Sequence, residues 1–535
     1  MSIKQLNLAS RKISRRQFFK YTGATTAGAW LASQGLFARA QGGGTLVWLG
    51  HQEVAGIGPN DIGPDVQSAV IYNVLNPLVN QDYRAQLQPV LATSYEVAAD
   101  GLSYTFHLHQ GVQFHDGSEL TAEDVKYTFE YYSQEGEIIA SRFINMGSVE
   151  ALDKYTVRIN MDAVNAAFLA VACTVPIVPA AYHASVGGDA NFRAAPIGTG
   201  AFRVAEYRPA EFTDLVAFPE HFRGAPLAEH VRLEVVPEPS VRYIAMLTGD
   251  AHASVWPLAT EDALELAGTP GFVTWYENWS SPRHIPLNTQ SPVLSDKRVR
   301  QAMLAAIDRQ RIIDELESGL GVVASSHLAP HNPYFTTEGV PQYPFDPDRA
   351  RSILDGAGWT AGSDGIRSKD GLRLSFTCTT ISGDQTRRPM AELSQIFLRD
   401  VGVEMQLAEA PVASILEGLR QGTMEASLFN WTMGDLTDPS PTSTLRSNGG
   451  DNFYRYANPE MDRLIDEGLS IADPEARKPI YARTQQIFAE DVPALCLHYP
   501  QVVNPVSVAM QNLPNVDDIL LSLGVFYDGH LYTAG

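Results

Sequence analysis

Cysteine is scarce: three in 535 residues, at Cys173, Cys378 and Cys496, far apart and without a Cys-x-x-Cys spacing. Disulfide staples are therefore not required, and buried thiols are expected, since each cysteine lies in an apolar stretch, with a single disulfide as the alternative. Positive charge is scarce too. Lys and Arg number 39 against 61 Asp and Glu, a formal balance of −22, whereas nucleic-acid and anionic-membrane partners both require a basic footprint. No apolar run reaches the ~18 residues of a membrane-spanning helix; the stretch from Thr22 to Leu36 is interrupted by Gly23, Gly28, Ser33 and Gly35. The short motifs of common enzyme classes are missing: no Gly-x-Ser-x-Gly elbow, His-Glu-x-x-His, Walker loop or dinucleotide glycine fingerprint. The expectation is therefore no enzyme, no metal and no cofactor, with a hydrolase triad built from separated residues as a minor alternative.

What is present begins with an export signal. The first forty residues carry seven Lys or Arg and no acid, contain Ser14-Arg15-Arg16-Gln17-Phe18-Phe19-Lys20, and end at Ala38-Arg39-Ala40. Arg15 and Arg16 form a twin-arginine signal, and the small residues at 38 and 40 place cleavage after Ala40. No cysteine stands near that point to accept a lipid, so the mature chain is expected free in the periplasm, delivered folded by the twin-arginine translocase. Its remaining 495 residues carry a formal charge of about −29, and a length of that order implies two to four domains.

Along the chain, helix and strand signals interleave, which marks an α/β protein. Thr45 to Leu49 reads as a buried strand bounded by glycines, and Tyr104 to His109 alternates. Thr121 is expected to cap a helix carrying Val125, Phe129 and Tyr132 on one face. Asp346-Pro347, Asn458-Pro459 and Asp473-Pro474 each set a cap before a first-turn proline. The last of these helices is expected to turn Ala476, Ile480, Tyr481, Ile487 and Phe488 inward, and Leu372 to Thr377 and Ala426 to Phe429 read as strands. Pro/Gly-rich joints at Ala195-Pro196, Ser281-Pro282 and Tyr499-Pro500 are candidate crossings between lobes.

The stretch from Leu87-Gln88-Pro89-Val90-Leu91-Ala92 through Asp100-Gly101-Leu102-Ser103-Tyr104-Thr105-Phe106, with Phe114-His115-Asp116-Gly117 and Leu120-Thr121-Ala122-Glu123-Asp124-Val125, resembles the signature of the family 5 extracellular solute-binding proteins, which serve oligopeptide, dipeptide and nickel import. Pro196-Ile197-Gly198-Thr199-Gly200, Lys297-Arg298-Val299-Arg300-Gln301-Ala302, Asp355-Gly356-Ala357-Gly358-Trp359 and Asn458-Pro459-Glu460-Met461-Asp462 extend the resemblance over the mature chain. It implies a two-lobed periplasmic binding protein fold (cluster C) with an extra subdomain: residues 41–70, 200–282 and 504–535 as the first lobe, 71–199 inserted in it, and 283–503 as the second. It further implies a monomeric receptor that captures a peptide-like or other amine-bearing solute between the lobes and hands it to an inner-membrane ABC permease with its ATPase. An oligosaccharide, an opine or a nickel complex is the alternative solute.

In the segment Phe429 to Pro439, Asp435 resembles the family aspartate that grips a solute ammonium group. Trp431 and Trp256 are candidate walls, since an indole offers a flat face to peptide planes, sugars or cations, with a place in the core as the alternative for either. Asp435 and Asp438 are each either a solute contact or a cap of the following turn. His51, Glu53 and Tyr72 occupy places where the family lines its cleft. The family's dipeptide receptors also keep a cation in the loop after the strand at Ser375 to Cys378, but Thr379 to Thr386 contains no Lys or Arg, which argues against strict dipeptide specificity. His107, His109 and His115 belong to a strand and turn of the family and read as structural rather than metal-binding. His327 and His331 have helical spacing, yet Pro330 argues for a loop.

Overall fold

The structure, a computed structural model, describes residues 44–62, 66–82, 84, 86–382, 384, 386–428, 438–514, 522–527 and 529–534. Arg15, Arg16, Ala40, Trp431 and Asp435 lie outside the described residues. Among those described, no helix is long and apolar enough to cross a membrane, and the three cysteines are free and buried.

The first expected strand forms as Thr45–Gly50 (β1). It pairs in parallel with His230–Val235 on one side and Ala253–Ser254 on the other. A strand covered on both faces is apolar throughout rather than alternating, which is why Leu46, Val47, Trp48 and Leu49 are all buried. The sheet continues through Phe212–Ala217 to Phe202–Arg208 at one end and through Ala494–Ser507 to Phe272–Asn278 at the other. Helix α1, Val66–Val74, is buried almost along its whole length against it.

A second, antiparallel sheet orders Ala92–Val97, Ser103–Leu108, Thr156–Met161 and Met146–Asp153. Tyr104, Phe106 and Leu108 face inward at alternate positions, as period-2 patterning requires. Helix α2, Ala122–Tyr132, lays Val125, Phe129 and Tyr132 into the same core. Its first turn is closed mainly from the other end of the capping pair: the Asp124 carboxylate accepts the Thr121 N–H at 2.9 Å and the Thr121 hydroxyl at 3.0 Å. The apolar cluster containing Trp48 runs without a break to Phe106 and Phe129, so this sheet shares a core with the first.

The second lobe has its own core, which includes Leu287, Val299, Phe376 and Leu398. Here Ser375–Ile381 pairs in parallel with Glu404–Ala410 and Ala426–Ser427, so the strand expected from Leu372 divides. Leu372–Arg373 belongs to a small separate sheet. The three Asx-Pro helices begin where expected, with Asp346, Asn458 and Asp473 accepting N–H groups of their first turns.

Four further elements position the site. Arg283–Pro286 (β2) leads into the second lobe. Helix α3, Arg387–Asp400, follows Ser375–Ile381, and helix α4 is Pro474–Asp491. In α4, Ile480, Tyr481, Ile487 and Phe488 are buried as expected, whereas Ala476 is exposed and Arg477 takes the inward place. The reason is an ion pair described below. Ala494–Ser507 (β3) then crosses between the lobes as one strand. Its first half pairs with β2 and with Gly321–Val323, and its second half pairs with Phe272–Asn278 of the first sheet. The joint expected at Tyr499-Pro500 therefore lies inside a continuous strand.

Candidate functional site

In open α/β sheets, ligands bind beyond the carboxyl ends of parallel strands, because there the loops converge while the backbone hydrogen bonds of the strands are already satisfied. His51 follows β1, and Trp256 follows its parallel neighbour Ala253–Ser254, with Leu49 opposite Ser254 in register. The register brings the two rings together: they stack with centroids 4.5 Å apart and planes 30° from parallel. Trp256 meets Trp279 nearly edge-on at 5.9 Å. The Arg283 guanidinium then lies over Trp279, 4.6 Å from its ring centroid. His51, Trp256, Trp279 and Arg283 thus form one continuous face from the end of the first sheet to the crossing strands.

The second lobe contributes Arg387, the first residue of α3, just beyond the carboxyl end of Ser375–Ile381. One edge of its guanidinium is bound to Asp384, which also accepts the N–H groups of Thr386 and Arg387. Burial alone would raise the Asp384 carboxyl, but Arg387 and those N–H groups outweigh it and leave it below its ordinary value. The charge of Arg387 reaches both His51 and Arg283. Burial, with Arg242 and Arg387 adding to it, pushes His51 down to about 4, so the ring is neutral at pH 7. Burial likewise pushes Arg283 down to about 10, leaving it charged at pH 7.

Behind this face stands Glu317, which accepts the Thr260 hydroxyl at 3.0 Å, with its other oxygen 3.4 Å from His498 Nε2 and 3.9 Å from Arg283 Nε. Burial opposes ionisation of Glu317, and His498 and Arg283 overcome it, so its carboxyl is held below the usual range.

The other expected residues have different places. Glu53 is exposed two positions beyond His51. Tyr72 is buried in α1, donates to Thr174 O at 3.3 Å and meets the Tyr527 ring edge-on, so it serves the packing of that helix. Asp438 is the turn cap rather than an open contact: Oδ1 accepts the Ser440 N–H at 2.9 Å and Oδ2 accepts Arg477 Nη2 at 2.7 Å, with both partners buried. Trp279, Arg283 and Arg387 escaped the sequence reading. Arg387 lies one residue past the cation-free stretch from Thr379 to Thr386, and Arg283 directly follows the Ser281-Pro282 joint. His115 spends both ring nitrogens on the distant Gly198–Gly200 backbone, with Nε2 2.9 Å from Gly200 O and Nδ1 accepting the Gly198 N–H at 3.3 Å, and no group of three metal-ligating side chains occurs among the described residues.

A family model described as bacterial extracellular solute-binding proteins, family 5 (middle region), matches residues 86–453. Oligopeptide-binding protein AppA of Bacillus subtilis is 28% identical over 461 residues, 82% of either chain. Heme-binding protein A of Haemophilus influenzae is 27% identical, with 76% of this chain and 78% of that protein aligned. The crystal structure of Bacillus subtilis AppA in complex with a nonapeptide superposes with a TM-score of 0.82 at 25% identity, covering 92% of this chain and 99% of the other.

Proposed function

The chain belongs to the bacterial extracellular solute-binding proteins of family 5 and is a solute-binding receptor of ABC-type import, and on that premise we propose that its cleft takes a peptide-like or other amine-bearing solute against the His51–Trp256–Trp279 face. The observation that carries the reading is that face itself: stacked aromatic rings beyond the carboxyl ends of parallel strands, beside the strands that cross between two separate cores. A solute touching both lobes favours the closed form by its differential affinity, and a permease can recognise that form. No bond is made or broken.

In the same reading, Asp435 and Trp431 complete the cleft from the second lobe, with Asp435 taking the solute's ammonium group because a carboxylate enclosed there favours a cationic partner. The protein works as a periplasmic monomer exported by the twin-arginine translocase, with lobes near 41–70, 200–282 and 504–535 and near 283–503, and an insertion near 71–199. It delivers its solute to an inner-membrane permease and its ATPase. Native mass spectrometry of protein isolated from periplasm, followed by thermal-shift screening with peptides, opines, oligosaccharides and nickel complexes, tests this. A bound organic solute and a melting shift abolished by Asp435→Ala are expected. Turnover of a substrate, with no stable complex, would replace the receptor by an enzyme.

A further inference from the structure

A hydrogen bond joins the two lobes at a place outside the crossing strands. The Ala166 N–H donates to Leu469 O at 2.9 Å. Ala166 follows Thr156–Met161 of the antiparallel sheet, whose core is continuous with that of the first sheet. Leu469 ends the second-lobe helix Pro459–Leu469 and packs against a separate cluster that holds Ile465 and Ile480. The acceptor is one of the last four carbonyls of its helix, which have no partner within the helix. Gly468 O, beside it, is taken by Arg477 Nε at 2.8 Å, and Leu469 O is taken by the loop facing it from the other lobe.

Both sides of this contact are held from behind. Asn165 fixes the donor's loop: its Oδ1 accepts the Ala167 N–H at 3.1 Å, its Nδ2 donates to Ile144 O at 3.0 Å, and its carbonyl accepts the Tyr104 hydroxyl at 3.2 Å. Asn145 Nδ2 adds a bond to Val164 O at 3.3 Å. On the acceptor's side, Arg477 ties Gly468 O to the Asp438 carboxylate, and Asp438 stands at the end of the segment read above as carrying solute contacts. Beside the hydrogen bond, Gly101 turns with φ +69°, and a Cβ there would lie 3.2 Å from Val164 Cγ2 and 3.7 Å from Ala472 Cβ. A glycine on one side and an alanine on the other let the two loops approach closely.

We propose that the loop 162–167 with the Gly101 turn, on one side, and the turn 469–473, on the other, form a latch that shuts the solute cleft and sets the rate at which bound solute leaves. This rests on the receptor reading above and adds to it a part that touches no solute. The lobes stay joined through β3 in any arrangement, because β3 is one strand paired in both halves. They part where the contacts between them are few and non-covalent, and the latch is such a place. One neutral hydrogen bond and a small apolar contact favour the shut form by about three- to tenfold. A contact made only in the shut form slows the exit of every solute alike and leaves entry into the open form untouched.

The test is a cysteine pair in the full mature protein, Gly101→Cys with Ala472→Cys, whose 3.7 Å Cβ separation suits a disulfide. The three native cysteines are free and buried, so an oxidant reads the new pair. Oxidation is expected to cross-link the pair, to retain bound trialanine through dialysis and to exclude trialanine from emptied protein, until a reductant reopens the cleft. Ala472→Trp leaves Gly101 untouched and keeps the inference testable if the cysteine pair does not fold. It should speed the release of trialanine and of pentaalanine by the same factor, about three- to tenfold, with the association rate unchanged. A folded pair that does not cross-link, trialanine exchange as fast in the oxidised protein as in the reduced, or release unaltered by Ala472→Trp overturns the latch and leaves the receptor standing. Failure of the unaltered protein to bind either peptide overturns the peptide reading and the latch's role with it.

Discussion

Arg477 and Arg283 are both more than nine-tenths buried, yet their surroundings differ in kind. Arg477, on α4, donates to Asp438 at 2.7 Å, to Tyr481 Oη at 2.8 Å and to Gly468 O at 2.8 Å. Burial alone would lower its pKa, but Asp438 outweighs burial and holds it above its ordinary value. Arg283, at the lobe crossing, has an indole beneath it and a carboxylate at 3.9 Å, and burial prevails. A buried charge with its donors satisfied is a part of the scaffold. Arg283, with no hydrogen bond among the described residues, lacks what the fold gives Arg477.

The largest effect expected on stability follows from that contrast. Removing one member of a fully buried, hydrogen-bonded pair strands the other, at a cost of about 3–5 kcal/mol, so Asp438→Asn and Arg477→Met should both sharply lower the denaturation midpoint. Arg283→Met removes a 3.9 Å contact that is no hydrogen bond, and Glu317 keeps the Thr260 hydroxyl on its other oxygen. The stability of its unliganded form is expected to stay level or rise in the same denaturation experiment. A loss as large as that of Arg477→Met would end the distinction between the two sites.

Buried histidines extend the comparison to neutral groups. His327 is fully buried with neither ring nitrogen hydrogen-bonded among the described residues, and burial pushes it down to about 3. His51 and His284 are held near 4, also chiefly by burial. In the unfolded chain each titrates near 6.5, so below that pH the unfolded state binds more protons than the folded one. The stability that depends on these neutral rings is therefore complete above about pH 6.5 and is lost as pH falls toward 3–4. His327→Phe should be close to neutral at pH 7.5 and gain about 3 kcal/mol over the parent by pH 4.5, as thermal melts across that range would show. A constant difference would mean that His327 is protonated in the fold or paired there.

The scaffold was legible in the sequence where one local rule governs. The strand at Thr45 and the Asx-Pro helix starts needed only patterning and capping, whereas His51 was singled out by resemblance to the family's cleft and Trp256 by the flat face of its indole. Ala476 was misread for Arg477 because helical periodicity favours the apolar residue, and the partner that draws Arg477 inward, Asp438, lies 39 residues away. Trp279, Arg283 and Arg387 were missed for a related reason. Their proximity comes from a strand that passes from one core to the other and from a helix start in the second lobe, and no spacing along the chain encodes either. Asp435 and Trp431 lie outside the described residues, so their part in the cleft rests on the sequence alone.

The smallest effect should come from Arg373, and it separates geometry from burial. Its guanidinium lies 2.6 Å from Asp364 and 2.9 Å from Glu404, closer to two carboxylates than Arg283 is to one. Arg373 and Ser375 hold Glu404 at about 2, yet the Arg373 side chain is 45% exposed. Water and salt screen such contacts, and their net worth is small however short they are. Arg373→Ala should leave the melting temperature almost unchanged, and raising salt should shrink even that difference. If it instead destabilised the protein as much as Asp438→Asn, proximity of opposite charges would outrank burial here, and the 3.9 Å between Arg283 and Glu317 would no longer set Arg283 apart from Arg477.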